Sequence, residues 1–365
     1  MSVHAGKWAQ HRRFANAPAF CFRAEPDTIV NAMSTRVRSY CKINLGLAIG
    51  PPRPDGFHGL TTAYQTLALH DIVTVAARPA AQTQISLTSN HPGVPTDERN
   101  TAWKMVAGAL ELLGTTAAVE IHIQKELPVQ GGMGAGSANA AAALVGLERE
   151  LNQSLSENLR MELAAKVGSD VPLFLVGGAV LGVNRGEKVS PLPDLPETVC
   201  LVIAPALGVS TPQAFRDWDA QFTGAESTLD AASDRLDMLS RALTSAYVES
   251  GTSGVSGDGS DSHGDLAGDT LLALVRTGIE NDFERVVFPQ YPSLREIKRQ
   301  LVGSDTGSAA LYAALSGSGS ALFGLYGSLE DAEAAQQRVL GSAPDAQAFI
   351  TKTLPRAAYW SSIFA

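Results

Sequence analysis

Residues 125–152 read KELPVQGGMGAGSANAAAALVGLERELN, a strand end followed by a glycine-dense loop and a run of helix formers. Just upstream, residues 119–124 alternate apolar and polar, which is the period of a half-buried strand, and Pro128 then ends the pairing. Glycine allows positive φ and lets an anion approach the backbone with no Cβ in the way. The four glycines of the loop are Gly131, Gly132, Gly134 and Gly136. The stretch therefore predicts a strand, an anion-binding loop and a helix, in that order.

The start of this helix is the predicted phosphate site. Ser137 or Asn139 can cap it, and the alanines that follow, with Leu144 and Leu147, favour a helix from Asn139 onward. The unpaired N–H groups of a helix start carry about half a positive charge, which attracts phosphate. The alternative is a tight glycine turn that binds no ligand.

Two common glycine motifs do not fit this loop. A Walker loop needs a lysine and then Ser or Thr after its last glycine, and no lysine lies between Lys125 and Lys166. A dinucleotide fingerprint needs a second strand that ends in an acidic residue, whereas another helix is predicted at 156–167. Both motifs are therefore disfavoured for this loop.

Five motifs in order carry a resemblance to a known family. They are KINL at 42–45, PDGFH at 54–58, PVQGGMGAGSANAA at 128–141, GSDVP at 168–172 and LSGSG at 315–319. Together they resemble the GHMP kinases, and among these the members whose acceptor is a cytidine-diphosphate-linked polyol on a route to isoprenoid precursors. The resemblance spans residues 36–326 and implies phosphoryl transfer from ATP with Mg²⁺.

The fold class expected from this resemblance is α+β, in two domains. An N-terminal ATP-binding β/α domain would span 34–194 and a C-terminal ferredoxin-like domain 195–365, joined near the proline-rich segment 191–196. From pattern alone, a helix at 329–340 and a strand at 349–353 complete a β-α-β layer, which suits the second domain.

Local signals predict most of the other elements. Asn100 should cap a helix that Gly114 closes, Ser156 should cap the next helix, and Gly168 should end it. The remaining predictions are one or two strands within 61–77, a strand at 177–183, a strand at 199–204, one helical stretch from 281 toward 301, and a glycine turn at 316–320 before a strand at 321–326.

Apolar and polar residues alternate from Val37 to Ile49, which predicts a strand with two distinct faces. Lys42 and Asn44 are two residues apart, so they should project side by side from one face. On pattern alone Lys42 is equally well an ordinary solvated lysine. The resemblance places it at the reaction centre.

The resemblance also assigns roles to the remaining site residues. Asp170 becomes the catalytic carboxylate, although its place before Pro172 makes it an obvious helix N-cap as well. The predicted ATP-binding residues are Pro128, Val129, Gln130, Gly131, Gly132, Met133, Gly134, Ala135, Gly136, Ser137 and Ala138. Gln130, Ala135 and Ala138 depart from the residues common in the family, and Ser137 is a weak candidate ligand for Mg²⁺.

A cytosine pocket is expected to use one aromatic ring on each side of the base. The resemblance gives this role to Phe57 and Phe215, gives the polar edge of the ring to His58, and adds Asn44 to the substrate site. Without the resemblance, Phe57 and His58 would be an apolar plug with a satisfied histidine.

Composition limits the remaining possibilities. A chain of 365 residues with 45% hydrophobic and 18% charged residues is long enough for two cores. The net charge of -9 argues against binding to nucleic acid or to a membrane surface, and no apolar run is long enough to span a membrane. Cys21, Cys41 and Cys200 have no metal-ligand spacing, so we expect inert or buried thiols, no protein-held metal site and a cytoplasmic protein.

Two segments fall outside these elements. Residues 1–33 are expected to be an extension with little fixed structure, with a transit peptide as the alternative. The glycine- and aspartate-rich residues 251–269 are expected to be a flexible insertion. The sequence leaves open a monomer or a weak homodimer. It also leaves open another GHMP kinase, such as a homoserine or mevalonate kinase, and a catalytically silent sensor, against which the retained Lys42 and Asp170 argue.

Overall fold

The computed structural model describes residues 34–53, 56–129, 131–221 and 280–365. The predictions for the extension 1–33 (with Cys21), for Pro54 and Asp55, for Gln130 and for the insertion 251–269 lie outside these ranges.

The first of two sheets is built around one very long strand. Its strands are β1 (Thr35–Pro52), β2 (His58–Pro79), β3 (Gln84–Ser89), β4 (Ala117–Gln124), β5 (Ala179–Asn184) and β6 (Lys188–Pro191). Within the described ranges the order is β3-β4-β2-β5-β6, and β1 pairs with β2. β5 pairs near the start of β2 and β4 near its end. Among the paired strands of this sheet in the described residues, only β3 and β4 run parallel to each other. The strand predicted within 61–77 is therefore a single strand, β2.

β1 is bent at the positions that matter for the site. Its register with β2 shifts between Tyr40 and Lys42 and again between Asn44 and Gly46. Such irregularities bend a strand and re-aim its side chains. Residues 39–50 are all buried, so both predicted faces of this strand are covered by protein.

The second edge of β1 is covered by segments from far downstream. The backbone N–H of Leu47 donates to the carbonyl of Glu280 (2.9 Å), and that of Arg38 donates to the carbonyl of Ile363 (2.7 Å). At these positions the backbone of β1 is therefore paired on both edges, as buried backbone requires.

Four helices accompany this sheet: α1 (Thr101–Leu113), α2 (Ala135–Leu151), α3 (Glu157–Val167) and α4 (Val171–Val176). The Asn100 side chain accepts from the N–H of Ala102 at 2.9 Å, and Gly114 closes α1 with a φ of 64°. Ser156 caps α3 through the N–H of Leu159. These predicted boundaries are confirmed.

The second sheet has the connectivity of a ferredoxin-like layer. Its strands are β7 (Val199–Ala204), β8 (Tyr312–Leu315), β9 (Leu322–Tyr326) and β10 (Gln347–Lys352), in the order β10-β7-β9-β8 with every pairing antiparallel. Helices α5 (Thr211–Ala220), α6 (Glu284–Gln290), α7 (Pro292–Val302) and α8 (Leu329–Ser342) complete this part of the structure, whereas α9 (Arg356–Ser361) places Tyr359 in the core of the first sheet. The predicted α+β class and the ferredoxin-like arrangement are confirmed.

The predicted helical stretch from 281 toward 301 consists of two helices. The segment from Asn281 toward Leu301 contains two helices that meet at Tyr291, whose φ and ψ of -125° and 74° are not helical. Pro292 follows, and a proline disfavours helical backbone in the residue before it. The domain boundary predicted near 191–196 remains a prediction.

A shared core joins the two sheets. Cys41 and Ile43 of β1, Cys200 of β7 and Phe323 of β9 belong to one cluster of buried residues. Burial raises the pKa of the Cys41 thiol to about 12 and raises that of Cys200 well above its usual range. Both predicted inert thiols are therefore confirmed as buried. Among the described helices, none is sufficiently long and apolar to span a lipid bilayer.

Candidate active site

The glycine loop forms an open hollow at the start of α2. Three of its glycines have positive φ: 143° at Gly131, 83° at Gly132 and 69° at Gly134. The hollow has a volume of about 240 Å³. It is lined by Thr101, Pro128, Val129, Gly131, Gly132, Met133, Gly134, Ala135, Gly136 and Ser137. The predicted anion loop therefore has both the backbone conformation and the space that a phosphate requires.

The predicted helix cap is wrong, and the error concerns the proposed anion site. α2 begins at Ala135, with Gly134 as its N-cap residue and no side-chain capping bond. Asn139 lies inside the helix, and its Oδ1 accepts from the Ser39 hydroxyl at 2.6 Å. The left-handed turn at Gly134 starts the helix earlier than the propensities of Ser137 and Asn139 suggest. Because no side chain caps it, the first turn keeps its amide donors facing the hollow.

A buried aspartate, which sequence reasoning missed, holds the entry to the loop. Asp71 of β2 is fully buried and accepts from Lys125 Nζ (2.7 Å) and from the backbone N–H groups of Glu126 and Leu127 (both 2.8 Å). A carboxylate with three donors is stable without solvent. These bonds fix the chain between β4 and the glycine loop.

The second glycine turn, residues 316–320, packs directly on the first. The N–H of Ala321 donates to the carbonyl of Gly131 (3.0 Å), and the Ser316 hydroxyl donates to the carbonyl of Gly132 (3.1 Å). A Cβ built at Gly132 would lie 2.1 Å from the carbonyl oxygen of Ser316, so only glycine fits there. The glycine turn predicted at 316–320 is therefore in direct contact with the first glycine loop.

Lys42 lies buried beside both turns, with 3% of its side chain exposed. Its Nζ donates to Asn44 Oδ1 (2.6 Å) and to the carbonyl of Gly132 (2.7 Å). Asn44 in turn donates to the Thr62 hydroxyl at 2.8 Å, which sets the orientation of its amide. The prediction that Lys42 and Asn44 project from the same face is confirmed, and Lys42 is not a solvated lysine.

Asp170 occupies the N-cap position of α4 without capping it. Its backbone is helical (φ -86°, ψ -6°), and its side chain makes no capping bond. Instead Oδ2 lies 3.5 Å from Lys42 Nζ and Oδ1 accepts from the Tyr64 hydroxyl at 3.1 Å. The capping interpretation is therefore wrong. A carboxylate with 31% of its surface exposed stands beside a buried ammonium.

The predicted base-binding residues separate into two groups. His58 and Phe215 are stacked, with ring centroids 4.8 Å apart and an angle of 17°, and His58 Nε2 lies 2.6 Å from Asp219 Oδ1. Phe57 is half exposed, and the guanidinium of Arg185 lies 4.7 Å from its ring centroid. The ring stacked on Phe215 is therefore that of His58. Asp219 and Arg185 were missed, because only the fold brings them to these rings.

Taken together, the loop pair, the uncapped helix start and the lysine-aspartate pair define a small-molecule kinase of the GHMP class. The family model described as GHMP kinases N terminal domain matches residues 100–178, and the model described as GHMP kinases C terminal matches residues 267–345.

Relatives in sequence identify one family within the GHMP kinases. A 4-diphosphocytidyl-2-C-methyl-D-erythritol kinase from Solibacter usitatus (strain Ellin6076) is 37% identical over 288 residues, which cover 78% of this chain and 78% of the relative. Another, from Gloeobacter violaceus (strain ATCC 29082 / PCC 7421), is 35% identical and covers 78% of this chain and 83% of its own. The chain belongs to the 4-diphosphocytidyl-2-C-methyl-D-erythritol kinase family.

Solved structures support the same fold. A crystal structure of 4-(cytidine 5'-diphospho)-2C-methyl-D-erythritol kinase has a TM-score of 0.60 at 24% identity and covers 87% of this chain and 98% of its own. A homoserine kinase from Cytophaga hutchinsonii ATCC 33406 also has a TM-score of 0.60, at 18% identity, and covers 91% of this chain and 98% of its own. Since the two folds match equally well, fold alone does not distinguish these substrates.

Proposed function

We propose that this chain transfers a phosphoryl group from ATP to the 2-hydroxyl of 4-diphosphocytidyl-2-C-methyl-D-erythritol, in the non-mevalonate route to isoprenoid precursors. The family to which the chain belongs supports the substrate. The observation that carries the chemistry is the Lys42–Asp170 pair, which lies beside the uncapped start of α2. Phosphoryl transfer depends mainly on positioning and charge stabilisation, which this arrangement can supply.

The glycine loop is proposed to hold the triphosphate. Residues 131–137 offer backbone amides around the hollow, and within the described residues no side chain makes a capping bond at the helix start. Mg²⁺ would neutralise phosphate charge when bound. Oxygen ligands suit Mg²⁺, and the Ser137 hydroxyl, which lines the hollow, is the candidate side chain to hold the ion.

Asp170 is proposed as the group that accepts the proton of the acceptor hydroxyl. A positioned base of this kind contributes about a hundredfold to ten-thousandfold to the rate. Lys42 Nζ lies 3.5 Å from the carboxylate, so its positive charge stands beside the proposed base. Because Lys42 also donates to the carbonyl of Gly132, the same ammonium links the base to the phosphate loop.

The cytidyl group is proposed to bind at Phe57, His58 and Phe215, with Asn44 nearer the reacting hydroxyl. Phe215 provides an aromatic face, and His58 is held by Asp219. An ionised carboxylate only accepts hydrogen bonds, so Nε2 of His58 would carry the proton in this contact. Base stacking of this kind contributes about 1 to 3 kcal/mol per ring.

We place the protein in the cytoplasm, where ATP is available and the buried thiols Cys41 and Cys200 would stay reduced. Its working form is proposed to be a monomer or a weak homodimer.

The test is to incubate the protein with ATP, Mg²⁺ and the cytidyl substrate and to follow the product by mass spectrometry. We expect the product mass to increase by one phosphoryl group. The matched variant Asp170→Asn should keep its melting temperature and ATP binding while turnover falls by about two orders of magnitude or more. Phosphorylation of homoserine or mevalonate in preference to the cytidyl substrate would refute the substrate assignment. Turnover of Asp170→Asn within about threefold of wild type would refute the base assignment.

A further inference from the structure

Tyr64 is the second protein group that contacts the Asp170 carboxylate. Its hydroxyl donates to Oδ1 at 3.1 Å, while Lys42 Nζ lies 3.5 Å from Oδ2. A hydrogen bond on Oδ1 and an ion-pair contact on Oδ2 together limit the rotation of a carboxylate that makes no capping bond of its own. Oδ1 is thus the oxygen that accepts the Tyr64 hydrogen bond, and Oδ2 is the oxygen that faces the ammonium.

The space for the Tyr64 ring is built by glycines in the β5–β6 hairpin. A Cβ at Gly182 would lie 2.5 Å from Tyr64 Cε2, and a Cβ at Gly186 would lie 2.5 Å from the Tyr64 hydroxyl oxygen. Gly186 has a positive φ of 95°, but Gly182 does not have a positive φ. Glycine is therefore needed at 182 because of the nearby Tyr64 ring, and not because of a positive φ at that position. Tyr64 is 3% exposed, so this packing leaves the ring little freedom.

The chemistry of Tyr64 suits a fixed donor. Burial, and then the charge of Asp170, raise the pKa of the Tyr64 hydroxyl well above its usual range, so it keeps its proton at neutral pH. The ring centroid lies 5.6 Å from Lys42 Nζ, and an aromatic face attracts an ammonium at this separation. Tyr64 thus contacts both members of the pair without taking part in proton transfer.

We propose that Tyr64 is a positioning residue that holds Oδ1 of Asp170, so that Oδ2, beside Lys42, is the oxygen that accepts the proton of the substrate hydroxyl. This inference rests on the proposed function. In the step, the hydroxyl O–H breaks as the proton passes to Oδ2. The substrate oxygen bonds to the terminal phosphorus of ATP, and the bond from that phosphorus to ADP breaks. Lys42 faces the same oxygen and offsets the charge.

The experiment compares Tyr64→Phe with Tyr326→Phe as a matched control. Tyr326 lies on β9 of the second sheet and is also buried. Its hydroxyl donates to the carbonyl of Leu301 at 2.8 Å. We expect Tyr64→Phe to lower kcat about tenfold, with the KM values for ATP and the cytidyl substrate within about twofold of wild type. Tyr326→Phe should leave kcat within about twofold, whatever its effect on melting temperature.

A double-mutant cycle separates this proposal from the proposed function. Once Asp170→Asn has removed the base, adding Tyr64→Phe should lower kcat by less than about twofold further, because the two residues act as one unit. If Asp170→Asn abolishes turnover while Tyr64→Phe alone keeps kcat within twofold, the positioning role is refuted and the base assignment stands. Additive losses in the cycle would also refute positioning. Near-normal turnover of Asp170→Asn would instead refute the proposed function.

Discussion

Replacing Gly319 by alanine should separate the two glycine turns of the site. The added Cβ would lie 2.6 Å from the backbone carbon of Gly131 and from the backbone nitrogen of Gly132. Gly319 does not have a positive φ, so alanine can adopt its backbone conformation without strain. The substitution therefore tests steric contact between two backbones and little else.

The expected magnitude follows from this distance. Ordinary Cβ contacts lie at 3.4–4 Å, so the turns must move apart by about 0.8 Å. Both sides of the contact are backbone, and the bonds from Ala321 to Gly131 and from Ser316 to Gly132 cross the same gap. A displacement of about 1 Å near a reaction centre can cost a hundredfold in rate. We expect kcat/KM for ATP to fall about a hundredfold, or about 3 kcal/mol.

The assay is steady-state kinetics with ATP as the varied substrate, together with a melting curve. Gly327→Ala is the matched control, because a Cβ at Gly327 meets nothing within 4 Å and this residue also lacks a positive φ. The control should keep kcat/KM within about twofold, and Gly319→Ala should melt only a few degrees lower. If Gly319→Ala keeps kcat/KM within about threefold of wild type, the contact between the turns does not position the phosphate loop.

Two further predictions concern the aromatic residues and the buried thiols. Phe57→Ala and Phe215→Ala should each raise the KM for the cytidyl substrate about tenfold and leave the KM for ATP nearly unchanged; normal KM values for both variants would place the base elsewhere. Burial raises the pKa of the Cys41 thiol from 9.0 to about 12. The contribution of this thiol to the free energy of unfolding is therefore complete below pH 9 and is lost as the pH rises toward 12. In a Cys21→Ser background, a thiol reagent at about pH 8 should label Cys41 and Cys200 only after denaturation, and labelling of the native protein would contradict their burial.

Much of the site could be predicted from local sequence. The two-residue period of a strand is sufficient to put Lys42 and Asn44 side by side, and the observed bond between them is the direct result. Cap residues such as Asn100 and Ser156 act on amides only two or three positions away. These predictions succeed because the interactions depend on neighbours in the chain.

The residues that were missed contact partners far away in sequence. Asp71 binds the chain at 125–127, and Tyr64 reaches Asp170. Their positions on β2 depend on its register with β4 and β5, which no local pattern gives. Asp219 reaches His58 only because α5 packs over the start of β2. The errors at Ser137 and Asp170 have the opposite cause, since each residue has a strong local preference that the surrounding structure overrides.

The covered edge of β1 has a consequence for how the chain folds during synthesis. Residues 280 and 363, which pair with that edge, are made long after β1 itself. Until residues 280 and 363 have been synthesised, this edge of β1 presents unpaired N–H and C=O groups. Such an edge can pair with a neighbouring nascent chain. The strand that carries Lys42 is thus also an edge that is open to aggregation during synthesis. Truncation before residue 363 should favour aggregates over monomers.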